Sequence, residues 1–307
     1  MSGHVCHVQI ILSDLDENHW YQLLSNRMRN YRKCVAFSCK FQYEGSIKYD
    51  FRFPVDVKIS HKYSIILVSD CRNDRIRAFD LHSKIHSFDI TIKQPYYLAI
   101  DTCQNDEHLV VATTMGLYKY SLDTREMIWK IEQDVLFGTS FSVDSSKSTL
   151  IAFSQEMGII LFNSLNGKFK CSHLESNFNS PWGMDVSDDS LLVTTEWQVN
   201  DQVQIISNTH NTIFKREQLF GNRGCQYSQF TNMRGVCFDR ANNNFLVCDA
   251  FNARIQVFTK ECSFITSFGS KGKTNCSLNS PFGICVDNQD GTLYIADSAN
   301  NRIQIFK

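Results

Sequence analysis

The last 27 residues of the chain carry a pattern that occurs twice more upstream. Residues 281–307 read PFGICVDNQDGTLYIADSANNRIQIFK, residues 233–258 are a near copy, and residues 53–79 are a weaker one. Each copy holds three short strand-like runs. A repeat of this length, with so few residues in each run, predicts a closed ring of small sheets rather than one domain built around a single motif.

Six copies follow one another when each is aligned on the position of Pro281. The aligned residues are Pro54, Pro95, Gly138, Pro181, Met233 and Pro281. Large apolar residues recur three and five positions after each of them, whereas positions two and four are mostly small or polar. This period of two predicts a strand with one packed face. The small residues predict that the other face converges on an axis.

In three copies an Asp ends the second run, and an Arg five residues later begins the third. Across a hairpin turn this spacing brings a carboxylate and a guanidinium together, and the Asn between them suits a turn. We interpret the pairs as structural rather than catalytic. They are Asp70 with Arg75, Asp249 with Arg254, and Asp297 with Arg302.

These motifs resemble NHL repeats, which build six-bladed β-propellers. The resemblance covers residues 35–307, most closely in the first, fifth and sixth copies. The second and third copies lack the Asp-Asn-Arg link, and the fourth matches loosely. The resemblance implies an all-β fold in which residues 35–307 form a six-bladed propeller.

The last copy ends after its third strand, so its fourth, outer strand must come from elsewhere. We expect residues 35–41, starting at Val35, to supply it, because Phe41 precedes Pro54 by 13 residues just as Phe268 precedes Pro281. An N-terminal strand in this place removes both free sheet edges. Deleting residues 1–42 is therefore expected to destabilise the whole domain.

Residues 1–34 are predicted to form an N-terminal extension, with a strand over 7–12 and an amphipathic helix from Ser13. Its basic end is better explained by a helix C-terminus than by a nucleic-acid patch. The sequence shows neither a membrane-spanning apolar run nor a secretory signal. We expect a cytoplasmic, or nuclear, protein that is not secreted. The 12 cysteines include no Cys-x-x-Cys pair, and we expect them to be reduced.

Charge is unevenly spread, although the net charge is −1. Residues 100–201 hold 6 Lys and Arg against 15 Asp and Glu, whereas residues 1–99 hold 14 against 10 and residues 202–307 hold 11 against 7. The first and last segments are neighbours in a closed ring. One side of the ring is therefore predicted to be basic and the other acidic, a field that orients partners.

The axis-facing positions argue against an enzyme. Metal-dependent lactonases and an amidating lyase share the six-bladed shape, and they need carboxylates or histidines that converge on the channel. Those positions offer only Asp56 and Asp185, with Lys58 beside the first, and no histidine. We expect no catalytic residue, no metal and no cofactor, and we rank a metal-dependent lactonase or lyase as the least favoured alternative.

The residue after each aligned position is expected at the mouth of the channel. These residues are Val55, Tyr96, Thr139, Trp182, Arg234 and Phe282. Aromatic residues and arginine are enriched at binding hot spots and also stack on nucleic-acid bases. The alternative is that Trp182 and Phe282 wedge between blades. The basic residues expected on this face are Arg72, Arg75, Arg223, Lys271 and Lys273.

We therefore expect a non-enzymatic scaffold that binds a protein or peptide on this face, with no membrane partner and no small-molecule substrate. Resemblance to the NHL domains of tripartite-motif proteins, where an Arg or aromatic residue follows the blade-opening Pro, implies single-stranded RNA as the alternative. The acidic middle of the chain weighs against RNA, because phosphate contacts dominate such binding. This chain shows no RING or B-box pattern, so a second alternative is the substrate-recognition part of a ubiquitin-ligase complex.

Overall fold

The computed structural model describes residues 34–132, 140–154, 157–173, 181–196, 201–209 and 213–307. They form six four-stranded antiparallel sheets, and the innermost strand of each sheet contacts the innermost strands of its two neighbours until the circle closes. The predicted all-β, six-bladed propeller is confirmed. The predicted extension lies outside the described residues apart from Cys34.

The strands follow the chain from the innermost to the outermost position in each blade. The first strand is β1 (Tyr43–Ile47). Blade 1 contains β2 (Pro54–Ser60), β3 (Ile65–Asp70), β4 (Arg75–Asp80) and β5 (His86–Thr91). Blade 2 contains β6 (Pro95–Cys103), β7 (Asp106–Thr113), β8 (Gly116–Ser121) and β9 (Met127–Ile131). Blade 3 contains β10 (Phe141–Asp144), β11 (Thr149–Ser154), β12 (Gly158–Asn163) and β13 (Phe169–His173).

The second half of the ring repeats this order. Blade 4 contains β14 (Pro181–Val186), β15 (Leu191–Glu196), β16 (Gln202–Thr209) and β17 (Ile213–Phe220), and a two-residue pair follows, β18 (Asn222–Arg223) with β19 (Gln229–Phe230). Blade 5 contains β20 (Met233–Asp239), β21 (Asn244–Asp249), β22 (Arg254–Phe258) and β23 (Phe264–Phe268). Blade 6 contains β24 (Pro281–Val286), β25 (Leu293–Asp297) and β26 (Arg302–Phe306). Short 3₁₀ turns span Cys71–Asn73, Ser145–Lys147 and Ser298–Asn300.

Five of the six aligned residues begin an inner strand, namely Pro54, Pro95, Pro181, Met233 and Pro281. The sixth, Gly138, lies outside the described residues. Proline fits this place because its ring fixes φ and its missing N–H is tolerated at the first residue of a strand. The sequence alignment of the copies therefore locates the innermost layer of the ring.

The core lies between blades rather than inside any one of them. Val236 and Phe238 of blade 5, for example, belong to one buried cluster with Val193 and Val203 of blade 4. A sheet that buries one face alone leaves the other exposed, so each blade completes the core of its neighbour. Each fully buried large apolar side chain contributes roughly 1.5–3 kcal/mol. The ring is therefore stabilised mainly by these seams.

Glycines set how closely the inner strands approach at the axis. A Cβ on Gly183 would meet the carbonyl oxygen of Arg234 in the next blade, and a Cβ on Gly235 would meet that of Phe282. Any larger residue would push these strands apart. The close approach at these glycines thereby fixes the backbone positions of Arg234 and Phe282, which precede Gly235 and Gly283 in their inner strands.

An N-terminal strand closes the ring, as predicted, but it is β1 and not residues 35–41. β1 pairs with β26 as the outermost strand of blade 6, with Ile47 opposite Ile303. In blade 5 the matching residue is Phe268, opposite Ile255. Ile47 lies seven residues before Pro54, whereas Phe268 lies 13 before Pro281. The prediction was wrong because it assumed that the loop before Pro54 has the same length as the loop before Pro281. The loop before Pro54 is six residues shorter.

Residues 37–41 pack on the ring without joining its sheet. Phe41 stacks on Phe268 with ring centres 4.4 Å apart, and Phe37 is buried in the same cluster. The backbone N–H of Phe37 donates to Asp239 Oδ2 at 2.9 Å. The segment from Phe37 to Phe41 therefore covers the blade 5–blade 6 seam from outside.

Candidate binding face and central channel

The top face of the propeller carries the loops that enter the inner strands and the links between the second and third strands. In blade 6 the Asp297 carboxylate ties these together. Its Oδ2 accepts from Arg302 Nε at 2.8 Å and from Asn300 Nδ2 at 2.9 Å. Its Oδ1 accepts from the backbone N–H of Asn279, in the entering loop, at 2.7 Å. Arg302 also donates to the carbonyl oxygens of Lys273, Thr274 and Ser277.

The same arrangement recurs in blades 5 and 1. Arg254 Nε lies 2.7 Å from Asp249 Oδ2, and Arg75 Nε lies 3.2 Å from Asp70 Oδ2. Each Asp again accepts a backbone N–H from the entering loop, that of Thr231 or Arg52. The Asp and Arg side chains thus hold two backbone segments together. The role of these Asp and Arg side chains is to position the backbone of the top-face loops.

A further partner of each Asp was missed by the sequence analysis. Gln256 and Gln304 donate to Asp249 and Asp297 from two residues beyond the Arg. In blade 1 the same place is held by Arg77, which is buried and lies 2.8 Å from Asp70 Oδ2. The sequence signal was available, because residues two apart on a strand share a face.

The mouth of the channel is filled by a row of contacting aromatic rings and guanidinium groups. Arg234 Cζ lies 4.1 Å from the ring centre of Trp182 and 4.7 Å from that of Phe282. Phe53 meets Phe282 edge-on at 5.2 Å, and Arg72 covers Phe53 at 4.7 Å. Cation–π contacts of this kind are worth roughly 0.5–2 kcal/mol each. We call these five residues the mouth stack.

Two of the five mouth-stack residues, Arg234 and Phe282, are buried, whereas Arg72 is exposed. Arg234 is 8% exposed and Phe282 is 7% exposed, whereas Trp182 and Tyr96 are half-buried. Burial lowers the pKa of the Arg234 guanidinium, an effect that Tyr97 and Tyr96 oppose. Val55 is fully buried, and Thr139 lies outside the described residues. The structure therefore brings Trp182, Arg234 and Phe282 into contact. The side chains of Arg234 and Phe282 are buried there rather than presented to solvent.

The exposed aromatic residues of blade 5 lie in its link and in its entering loop. Phe251 is 64% exposed and Tyr227 is 67% exposed. Phe251 occupies the same link position as Arg72 and Ala299, and the backbone N–H of all three donates to the entering loop of its own blade. Sequence reasoning missed Phe251, although aligning the three links would have found it. Tyr227 stacks on Phe264 at 4.5 Å, and no repeat position predicted it.

Basic side chains dominate the top-face loops of blades 5, 6 and 1 and the loop that enters blade 2. The exposed residues that we call the basic arc are Lys48, Arg52, Arg72, Lys93, Arg223, Lys271 and Lys273. The exposed acidic residues in those loops are Asp50 and Asp74. Arg75, also expected on this face, is only partly exposed and pairs with Asp70 and Asp89. The surface around the mouth stack is thus positive on this side of the ring.

Below the mouth stack, two cations in the channel, Lys58 and Arg240, pair with carboxylates. Lys58 Nζ lies 2.9 Å from Asp56 Oδ1. Burial lowers the pKa of Lys58, but the nearby Asp56 carboxylate raises this pKa by more, so that the net shift is upward. Arg240 Nη2 lies 3.6 Å from Asp185 Oδ1, and Arg240 Nη1 lies 2.6 Å from Asp188. Sequence analysis identified Asp56, Lys58 and Asp185 but not Arg240, which follows β20 in a turn. Within the described residues, no three His, Cys, Asp or Glu side chains group as a metal site.

The family model described as "NHL repeat" matches residues 278–306, which contain β24, β25, β26 and the Asp297–Arg302 link. The sixth blade is an NHL repeat, and the chain is a six-bladed β-propeller that contains it. No curated protein matches its sequence. Among the described residues of this NHL propeller, no helix is long and apolar enough to span a membrane.

Two solved structures illustrate how widely this NHL propeller shares its shape. A structural genomics protein of unknown function from Bacteroides thetaiotaomicron aligns with a TM-score of 0.65 at 13% identity, covering 89% of this chain and 74% of that one. Hydrazine synthase from Kuenenia stuttgartiensis aligns with a TM-score of 0.59 at 15% identity, covering 85% and 78%. At these identities the likeness concerns the fold alone.

Proposed function

We propose that this NHL propeller is a non-enzymatic scaffold that binds an acidic peptide segment of a protein partner on its top face. The observation that carries the proposal is the basic arc, seven exposed cations against two exposed carboxylates, together with the exposed ring of Phe251 in the top-face link of blade 5. An exposed aromatic residue supplies apolar area at low entropic cost, and the surrounding cations steer a negative segment to it.

The rigidity of the face supports the same proposal. Phe251 and Arg72 project from links in which their own backbone N–H groups donate to the carbonyl oxygens of Thr231 and Arg52 in the entering loops. The N–H groups of Thr231 and Arg52 donate in turn to Asp249 and Asp70. A preorganised surface loses little conformational entropy when it binds. The mouth stack contributes by supporting this surface from below, and its half-buried Trp182 gives the partner an additional apolar contact.

The proposal is tested with two labelled probes of opposite kinds. One is a peptide of alternating Glu and Leu residues, and the other is single-stranded oligouridine. We expect the peptide to bind in a fluorescence anisotropy titration, and we expect the double change Lys271→Glu, Lys273→Glu to weaken binding about tenfold. Phe251→Ala should weaken it by a similar factor, because hot-spot aromatic residues contribute about 1–2 kcal/mol or more.

Matched controls lie on other parts of the ring. Lys168 is an exposed lysine in the turn before β13, and Phe169 is an exposed phenylalanine in that strand. Lys168→Glu and Phe169→Ala should leave peptide binding unchanged. If oligouridine binds more tightly than the peptide, with a steep salt dependence, the partner is RNA and the peptide proposal fails. Failure of both probes to bind at low salt would reject the basic arc as the site.

A further inference from the structure

The channel below the mouth stack is a cavity of about 500 Å³. That volume lies within the range of small-ligand sites. Its lining starts two residues after the aligned position, at Asp56, Tyr97, Gly183 and Gly235, and extends to the turns that follow the inner strands. No described residue of the mouth stack lines it. Within the described residues, the cavity therefore lies below the mouth stack and reaches the turns of the opposite, bottom face.

The lining of this lower channel is acidic. The carboxylates that line it are Asp56, Glu107, Asp144, Asp185 and Asp188. Two cations, Lys58 and Arg240, offset part of that charge. Lys58 Nζ is already bound by Asp56 and by the carbonyl oxygens of Val57 and Ile284. Its donors are therefore occupied, and an anion entering the cavity would face a net negative wall.

Acceptor capacity remains on the acidic side. The pair between Asp144 Oδ2 and Lys147 Nζ is long, at 3.4 Å, and this oxygen has no hydrogen bond within the described residues. Asp185 is 21% exposed, and Arg240 is 3.6 Å away. Each Asp185 oxygen accepts one backbone N–H, from Val186 or Phe238, and keeps a second lone pair. Carboxylate oxygens of this kind accept hydrogen bonds from an ammonium group.

A buried hydroxyl provides an independent sign of a ligand. Tyr97 is 6% exposed and lines the cavity, yet its Oη has no hydrogen-bond partner in the described part of the chain. A buried polar group left without a partner costs about 1–3 kcal/mol. Burial raises the pKa of the Tyr97 phenol, so the hydroxyl stays protonated at neutral pH and can both donate and accept.

We propose that the lower channel binds a small organic amine, whose ammonium group faces the carboxylates and whose second polar group bonds Tyr97 Oη. An amine fits the net negative lining, the apolar walls from Ile59 and Val236, and the spare acceptor on Asp144. The site is separate from the top face, because the mouth stack lies between them. The inference therefore stands or falls independently of the peptide proposal.

Three compounds with the same four-carbon chain test the charge preference, namely 1,4-diaminobutane, 1,4-butanediol and butanedioate. We expect saturable one-to-one binding of the diamine in isothermal titration calorimetry at low salt, and no binding of the diol or the dianion. Tyr97→Phe removes only the hydroxyl, and we expect it to weaken diamine binding on the order of fivefold to tenfold. Tyr118→Phe is the control, because Tyr118 Oη bonds Glu132 on the outside of the same blade.

Stability measurements separate a ligand-binding hydroxyl from a structural one. Because Tyr97 Oη has no protein partner in the described residues, Tyr97→Phe should leave the melting temperature unchanged or raise it. A lower melting temperature would show a structural hydrogen bond and overturn the assignment. Absence of diamine binding to the unmodified protein, equal affinity in Tyr97→Phe, or tighter binding of butanedioate would each overturn it as well.

Discussion

Gly283 of blade 6 lies against Val55 of blade 1, so that a Cβ on Gly283 would come within 2.6 Å of the Val55 carbonyl oxygen and would also meet the Asp56 carboxylate. Both obstacles belong to the neighbouring inner strand, which cannot move without opening the seam. We predict that Gly283→Ala lowers the free energy of unfolding by about 3 kcal/mol. Urea denaturation followed by tryptophan fluorescence measures this change.

The control for this prediction is Cys285→Ala, two residues along the same strand and also facing the channel. It removes one sulfur atom and adds no steric conflict, so the expected loss is about 1 kcal/mol. Equal denaturation midpoints for the two variants would contradict a close approach of the strands at Gly283.

Phe41 stabilises the seam between blades 5 and 6 from outside the sheet. Its ring stacks on Phe268 and is 7% exposed. We predict that Phe41→Ala lowers the free energy of unfolding by about 3–5 kcal/mol, because it leaves a cavity in a buried cluster. Phe169→Ala removes an equally large but exposed ring, and its expected loss is below about 1 kcal/mol. Thermal unfolding of both variants compares them directly.

Truncation separates Phe41 from the closing strand. A chain starting at residue 43 lacks Phe37 and Phe41 but keeps β1, whereas a chain starting at residue 49 lacks β1 as well. We expect the first to fold with a lower melting temperature, and the second to aggregate because β26 becomes a free edge. Analytical ultracentrifugation distinguishes the two. A monomeric, folded product from the second truncation would show that β1 is dispensable.

Arg302 satisfies four acceptors at once, the Asp297 carboxylate and three carbonyl oxygens of the entering loop. Asp297 is fully buried. We predict that Arg302→Ala lowers the free energy of unfolding by about 3–5 kcal/mol, because a buried carboxylate loses its cation. Lys130→Ala breaks an exposed pair with Glu132 and should lower the free energy of unfolding far less than Arg302→Ala does. Similar losses in both variants would argue that the Asp–Arg link is not structural.

Asp106 makes stability depend on pH. A hydrogen bond from Lys62 Nζ, with others from Tyr63 Oη and the Glu107 N–H, lowers the pKa of Asp106 to about 2. The unfolded pKa is about 3.9, so the contribution is complete above that pH and is lost as pH falls toward 2. Asp106→Asn should therefore cost about 1 kcal/mol at neutral pH, after discounting for exposure, and only a small part of that near pH 2, where the folded-state carboxyl is half protonated.

Urea titrations of the Asp106→Asn variant and the unmodified protein at a series of pH values measure that difference. Asp123→Asn changes an exposed carboxylate in the following turn of the same blade and serves as the control. A difference for Asp106→Asn that persists at the lowest pH would mean that its cost comes from geometry and not from charge.

The repeat pattern predicted most of the fold because it records burial, and burial alternates along every inner strand. Pro281 and its counterparts therefore located five inner strands to the residue. The closing strand was misplaced because loop length is not tied to burial, and the loop before Pro54 is shorter than the loop before Pro281. No periodicity constrains the length of an exposed loop.

The candidate site was predictable in part. Alignment placed Trp182, Arg234 and Phe282 at one level of the channel, but alternation alone does not say whether a ring at that level points outward or packs on its neighbour. The orientation of these rings depends on how closely Gly183 and Gly235 let the inner strands approach. That distance is not recorded in the alternation of the sequence. Phe251 and Tyr227, the exposed rings, lie in loops where no periodic pattern operates.

The pairing of β1 with β26 also sets how the ring responds to pulling. Tyr43, at the start of β1, lies opposite Phe306, at the end of β26, so tension through the adjoining segments acts at one end of the ladder. The hydrogen bonds between β1 and β26 would then break one after another instead of bearing the tension together. The propeller would open at this seam under low tension, while the continuous chain holds the strands of blades 1 to 5 together.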